Sequence, residues 1–520
     1  MINEKINIIA MFADKAFDEE ESETLKSISN DCLKFIDSDE YSDLEKAILA
    51  YHGATSYSNY IGIRDKGIMN YFGDNANESD FEFCIYLYRK SIRYFEKINV
   101  EEMNEIDKSY YLNYKLMAYT NYSNILYETG RLIVSIDKLK NILDYGFPMA
   151  IGNLGCKIKV YADYDYDTGH KYVLYKQSYK LLNRIVNNKQ LHIDAKKFFE
   201  KEKTWLEENV GIEELTKESN YNKETLGDNE DEIGYRVWCK ENTLFLNTLN
   251  DAVNYSEVAY DIIHLPNMVT LIDSTPKYHG LFNQIKQEYV SARYMIYECL
   301  DTIDSCETHF SDKDVYMVDT LDYFVYGLKI EKMKYAYRAF YSLFDRIAYF
   351  INYYFELGIK ERDISYKSIW MGEKSGKKGY KFNYNLKEKM MIHEEYNYPL
   401  IGLYWLFKDI SKKKVKHNYL KPEIEQISDI RNSIEHKYLK IIDDKFLEFC
   451  NNEVDDDLAY IKTFREFEEA SIRLMKYARE AIILLSLSVH CEEMFRARKR
   501  NDNQFIMPID LLKYEDEWKY

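Results

Sequence analysis

Ser428-Asp-Ile-Arg431-Asn432-Ser-Ile-Glu435-His436-Lys-Tyr438 follows a proline at 422 and a regular run of isoleucines. Proline lacks an amide proton and sits well in a first helical turn, so the pattern predicts a helix from Pro422 to about Tyr438. Ile424, Ile427, Ile430, Ile434 and Tyr438 fall on one side as a buried stripe. At about 100° per residue, Asn432 and His436 lie one turn apart on the opposite side, with Arg431 at the edge of the stripe. An arginine, an amide and a histidine on one helix can stabilise a phosphate and move a proton without a metal. The spacing alone is common, so its context has to carry the argument.

That context is helical. Upstream, Tyr337, Phe340, Tyr341, Phe344, Ile347, Ile351 and Phe355 recur every three or four residues and predict a long helix suited to the centre of a bundle. Helices are also predicted over about 282–307 and 457–497, the latter apolar at Ile461, Phe464, Phe467, Ile472, Met475 and Leu485. The aromatic and aliphatic cluster at Tyr235-Arg-Val-Trp238-Cys239 and Leu244-Phe245-Leu246-Asn247 reads as core. Asp345, in the central helix, is placed to pair either with Arg431 or with a surface cation. Two basic segments, Glu373–Lys389 and Ser411–His417, read as solvated loops or helix faces. Lys377, Lys378, Tyr380 and Lys381 of the first also suit a single-stranded RNA backbone with rings for base stacking.

The N-terminal half reads differently. Residues 1–75 give two or three amphipathic helices, and 76–215 carry tetratricopeptide-like spacing, clearest from Asn121 to Ile142. There Ser123, Gly130 and Ser135 are small enough for two antiparallel helices to approach closely, and Pro148 is expected to end the second. Ser91–Ile98 and Asn153-Leu-Gly155 supply flanking half-repeats. Such arrays present a curved surface for a peptide or protein trigger, or serve as inert scaffold. The acidic run Asp163-Tyr-Asp-Tyr-Asp167-Thr-Gly169 lacks a calcium loop's glycine register and has Leu174 where a bidentate glutamate should close the site, so it reads as a solvated inter-helix loop. The polar stretch 216–232 is the predicted linker, 233–500 the second helical domain and 501–520 a charged tail.

Composition sets the outer limits. The chain has 520 residues, 46% of them apolar but only 6 prolines, which suits a folded helical protein. A net charge of −18 argues against a general coat for duplex DNA or an anionic membrane, leaving room for a local basic groove. The 8 cysteines are scattered without a Cys-x-x-Cys pair, as expected of reduced thiols in the cytoplasm. No signal peptide, membrane segment, metal site or cofactor motif is predicted.

Arg431-Asn432-Ser-Ile-Glu-His436, late in an all-α bundle, resembles the signature of the HEPN superfamily: an arginine, four to six residues, then a histidine. Residues 235–239, 244–247, 341–350 and 430–439 resemble a bacterial HEPN family often preceded by repeat-like helices. The resemblance spans about 235–500 and implies a tetratricopeptide-like array followed by a HEPN-type bundle. It further implies a metal-independent endoribonuclease of toxin or antiphage systems, with Arg431 and His436 catalytic and Asn432 supporting. Residue chemistry agrees, because RNA is cut without metal when its 2′-hydroxyl attacks phosphorus under acid–base and cationic assistance. One chain offers one such imidazole, so a homodimer with a shared site is expected, leaving a 2′,3′-cyclic phosphate and a 5′-hydroxyl. The competing reading is a non-catalytic interaction scaffold that uses the bundle only to dimerise.

Overall fold

Long runs with apolar residues three and four apart become helices along most of the chain. The computed structural model describes residues 4–65, 78–217, 225–271, 274–301, 308–319, 324–374, 380–392, 395–410, 421–443, 457–500 and 506–519. The N-terminal array comprises α1 (Glu4–Asp18), α2 (Ser22–Ile36), α3 (Asp43–Asp65), α4 (Glu78–Lys97), α5 (Glu105–Glu128), α6 (Leu132–Lys140), α7 (Pro148–Tyr164), α8 (Thr168–Ile185), α9 (Ile193–Asn209) and α10 (Ile212–Thr216). Most of these helices pack chiefly on their sequence neighbours, the behaviour of a stacked helical array. Ser123 Oγ donates to the Ser135 carbonyl at 2.9 Å, drawing α5 and α6 together as the small residues suggest.

Two details of this array differ from expectation. Pro148 opens α7 instead of closing the preceding helix, which ends at Lys140. Gly130 turns the chain between α5 and α6 and also makes a more distant contact. Its φ is +76°, and a Cβ there would lie 2.6 Å from the backbone of Tyr398 and Gly402. The acidic loop is more built than a solvated connection. Asp167 caps α8, Asp163 accepts the Tyr175 hydroxyl at 2.6 Å, and buried Asp165 accepts the Thr248 hydroxyl at 2.6 Å. Among the described residues no group of three or more His, Cys, Asp or Glu side chains is arranged to hold a metal.

The C-terminal half contains α11 (Glu230–Glu241), α12 (Leu249–Ala252), α13 (Lys277–Asp301), α14 (Leu328–Tyr354), α15 (Tyr384–Met390), α16 (Tyr398–Ile410), α17 (Lys421–His436) and α18 (Phe464–Lys499). Among the described residues three short strand pairs interrupt them: β1 (Met371–Lys374) with β2 (Tyr380–Phe382), β3 (Met391–Ile392) with β4 (Glu395–Tyr396), and β5 (Leu439–Ile442) with β6 (Tyr460–Thr463). The last pair is parallel, in register Leu439↔Tyr460 through Ile442↔Thr463. It shortens the final helix relative to expectation. Residues 460–463 pair as strand, and Thr463 then caps α18 reciprocally with Glu466. The predicted stripe is buried at Tyr337, Phe340, Phe344, Ile347, Ile351 and, just past α14, Phe355, and half-buried at Tyr341. The cluster at 244–247 is pinned from two sides, Arg293 and Tyr289 donating to the Leu244 carbonyl and Arg479 to the Phe245 carbonyl.

Helix α16 joins the halves. Every residue from Pro399 to Ile410 is buried. One side lies on α18, where Asn397, just before α16, donates to the Ser488 carbonyl at 3.0 Å. The other side meets the array. Lys408 pairs with Glu78 and with Glu82 at 2.7 Å, and the Tyr404 hydroxyl donates to Glu78 at 2.7 Å. Asp409 accepts Arg89 at 2.9 Å and Arg131 at 2.6 Å, while Arg131 also grips Glu480 of α18 through two bonds of 2.7 and 2.8 Å. Burial opposes ionisation of both carboxyls. At Asp409 the two guanidinium groups outweigh it and the pKa falls, whereas at Glu480 burial outweighs Arg131 and the pKa rises. Buried side chains from Ile6 to Val489 form one continuous hydrophobic cluster.

Candidate active site

Isoleucines at 427, 430 and 434 bury one side of α17 in the bundle, where it packs on α14, α16 and α18. The buried Tyr337 hydroxyl of α14 donates to the Ile427 carbonyl at 3.0 Å, and Arg473 of α18 donates to Gln426 at 3.3 Å. The helix ends at His436, two residues earlier than the stripe suggests. Tyr438 therefore leaves the apolar face and is 38% exposed.

Arg431 is half-buried at the edge of the apolar stripe, as its position on the helix predicts. Its guanidinium lies 5.2 Å over the Tyr341 ring, and Nη1 donates to Asn432 Oδ1 at 3.1 Å. Burial pushes the Tyr341 phenol up, with nearby Arg431 opposing that rise and Asp345 adding to it. His436 is exposed at the end of the same helix. No hydrogen bond joins Arg431 to His436, consistent with residues five apart lying on different sides.

Glu435 tells against an ordinary helical ion pair. Its carboxylate meets Arg338 of α14, Nε to Oε1 3.4 Å, and not Arg431 one turn back. Arg338 also donates through Nη2 to the Ile434 carbonyl at 2.6 Å, satisfying a carbonyl of the last turn. The arginine was not singled out in the sequence, where it is one basic residue in a Lys- and Tyr-rich helix. Beyond the helix, the Tyr438 and Tyr326 hydroxyls lie 2.7 Å apart, and Lys440 sits 4.2 Å over the Phe324 ring. These contacts join the chain just after α17 to the chain just before α14.

Other expected positions fall elsewhere. Asp345 does not pair with Arg431. It is exposed, and its Oδ1 accepts the backbone N–H of Tyr366 at 2.8 Å, so it fixes the chain after α14. Lys377 and Lys378 lie outside the described residues. Tyr380 and Lys381 belong to β2, which pairs antiparallel with β1. A second gathering of titratable groups, around Tyr166 between the halves, is consumed by structural bonds. The Tyr166 hydroxyl meets Ser486 Oγ at 2.9 Å and the His264 carbonyl, and burial holds His490 below its ordinary pKa.

Residues 269–492 match the family model described as LA2681-like HEPN. No curated protein and no solved structure matches the chain. No helix among the described residues is long and apolar enough to cross a membrane.

Proposed function

Residues 269–492 form a HEPN-superfamily domain, and from that premise we propose that the protein is a metal-independent endoribonuclease with its active site on α17. The observation that carries this reading is the division of labour around the helix end. Glu435 is drawn away by Arg338, Arg431 is held over Tyr341 with no carboxylate partner among the described residues, and His436 stands in solvent. A guanidinium free of carboxylate neutralisation suits a phosphate oxygen, and an exposed imidazole suits proton transfer at a ribose hydroxyl or a leaving oxygen. Asn432, bonded to Arg431, limits the rotation of the guanidinium.

Cleavage needs a base near the 2′-hydroxyl and an acid at the 5′-oxygen, and one chain supplies a single such histidine. In a two-fold homodimer two copies of α17 face one cleft, one His436 taking the proton and the other donating it while the arginines balance charge on phosphorus. The products are then a 2′,3′-cyclic phosphate and a 5′-hydroxyl. The biological setting we propose is a cytoplasmic toxin or antiphage effector, with the N-terminal array receiving a protein or peptide trigger.

The test is RNA cleavage by the purified full chain beside His436→Ala and Arg431→Ala, each verified as folded, with end-group mapping of the fragments. Cleavage by the wild type alone, with cyclic-phosphate ends, is expected. Fragments ending in 3′-hydroxyl and 5′-phosphate, or equal cleavage by the variants, would overturn the mechanism. Absence of cleavage with and without trigger would favour the non-catalytic scaffold.

A further inference from the structure

A cavity of about 520 Å³ opens in the N-terminal array between the end of α1, the second half of α3, α4 and the C-terminal turn of α5. Its walls are apolar at Phe17, Ile61, Ile63, Phe81 and Ile125, and its polar groups are Glu20, Ser58, Asn59 and Glu128. This volume and this mixture of apolar wall with a few polar groups are those of small-molecule sites.

Three features set the cavity apart from a packing defect. Among the described residues, the half-buried side chains of Ser58, Asn59 and Glu128 have no hydrogen-bond partner within the protein, and Glu20 stands exposed at the rim. Gly62, exposed at the rim, presents open space: among the described residues no atom lies within 4 Å of a Cβ added there. The charge is also one-sided. Among the described residues neither lysine nor arginine lines the space; Arg64 is paired with Asp65 and Asp80, and Lys157, bonded to Asn124 at 2.8 Å, offsets the burial of Glu128 only in part. Burial raises the Glu128 carboxyl to about 7, which leaves it poised to gain from a cationic partner.

We infer that this cavity is a binding site for a small organic cation, an amine or amidine on an apolar body. The nitrogen lies between Glu128 and Glu20, Asn59 and Ser58 orient it, and the phenylalanines and isoleucines enclose the body. Glu128 is three residues from Arg131, whose side chain bridges Asp409 and Glu480 of the HEPN domain. The site is therefore next to the junction through which the array contacts the bundle. The inference does not depend on RNA cleavage.

Isothermal titration calorimetry of the full chain with tyramine, agmatine and benzamidine tests it, with N-acetyltyramine as the neutral counterpart and an arginine-containing tetrapeptide as the macromolecular alternative. At least one free cation is expected to bind with Kd below about 1 mM, and N-acetyltyramine at least tenfold more weakly than tyramine. Gly62→Phe, which fills the space from a position without neighbours, should abolish binding, and Glu128→Gln should weaken it at least tenfold. Should Gly62→Phe not fold, Asn59→Leu replaces it, with the same loss expected. Silence of all three cations, equal affinity for the acetylated compound, binding only by the peptide, or unchanged affinity in the folded cavity variants would each overturn the inference.

Discussion

Arg131→Met is expected to destabilise the protein by an amount that depends on pH in a calculable way. The substitution leaves Asp409 with Arg89 at 2.9 Å but removes both hydrogen bonds from Glu480, which is 2% exposed. Breaking one partner of a buried pair ordinarily costs about 3–5 kcal/mol. The stranded carboxylate has an escape, however, because it can take up a proton. From an unfolded value of about 4.3, protonation at pH 7 costs about 1.4 kcal/mol for each of about 2.7 units, or about 4 kcal/mol, and at pH 5 only about 1 kcal/mol. The sign follows from linkage. The variant's folded state holds a proton that its unfolded state releases above about 4.3, so its stability falls as pH rises through that window.

Urea unfolding followed by tryptophan fluorescence measures this, with buried Trp405 on α16 as a reporter at the junction. The expected penalty is about 4 kcal/mol at pH 7, shrinking by about 2–3 kcal/mol at pH 5. Arg131→Met with Glu480→Leu should recover most of it, since replacing both charges by apolar groups removes the unpaired carboxylate. A penalty below about 1 kcal/mol at pH 7, or one equal at the two pH values, would refute the claim that Arg131 offsets part of the cost of burying the Glu480 carboxyl.

Four further outcomes are expected. Tyr341→Leu should lower RNA cleavage about 3- to 30-fold while leaving the fold intact, because a half-buried cation–ring contact contributes about 0.5–2 kcal/mol. Arg338→Gln should release Glu435 toward Arg431 and reduce cleavage by about tenfold or more. A double variant adding Glu435→Gln should regain part of that activity. Gly130→Ala should cost more than about 2 kcal/mol in chemical denaturation, since its positive φ and its contact with Gly402 both exclude a side chain. Glu128, raised to about 7 by burial against the pull of Lys157, is stabilising as the acid and costs stability as pH climbs from about 4.5 toward 7. Glu128→Gln should therefore gain about 1–3 kcal/mol over the wild type at pH 8 and little at pH 5.

The helices were legible because a 3.6-residue period survives in the sequence wherever one face is buried, as from Tyr337 to Phe355. The half-buried setting of Arg431 and the exposure of His436 follow from the same geometry. Other features leave no such trace. Leu439–Ile442 is four residues of apolar character that a helical period absorbs easily, and only its partner at Tyr460–Thr463 makes it a strand. Glu435 obeys a tertiary neighbour over a local one. A rule based on residues four apart assigns it to Arg431, while α14 brings Arg338 to it from 97 positions away. The Arg131–Asp409–Glu480 junction is assembled from residues separated by up to 349 positions, each an ordinary surface charge when read locally.

The cladding of α16 bears on how the protein can be divided. By family match this helix belongs with residues 269–492, yet one side of it is upholstered by the helical array that precedes them. Excising the bundle at the family's edge would strip Trp405 and Tyr404 to water and leave Lys408 and Asp409 without their counter-ions. The catalytic module we propose is thus no detachable cassette. Its own insulation is supplied by the partner it would be separated from.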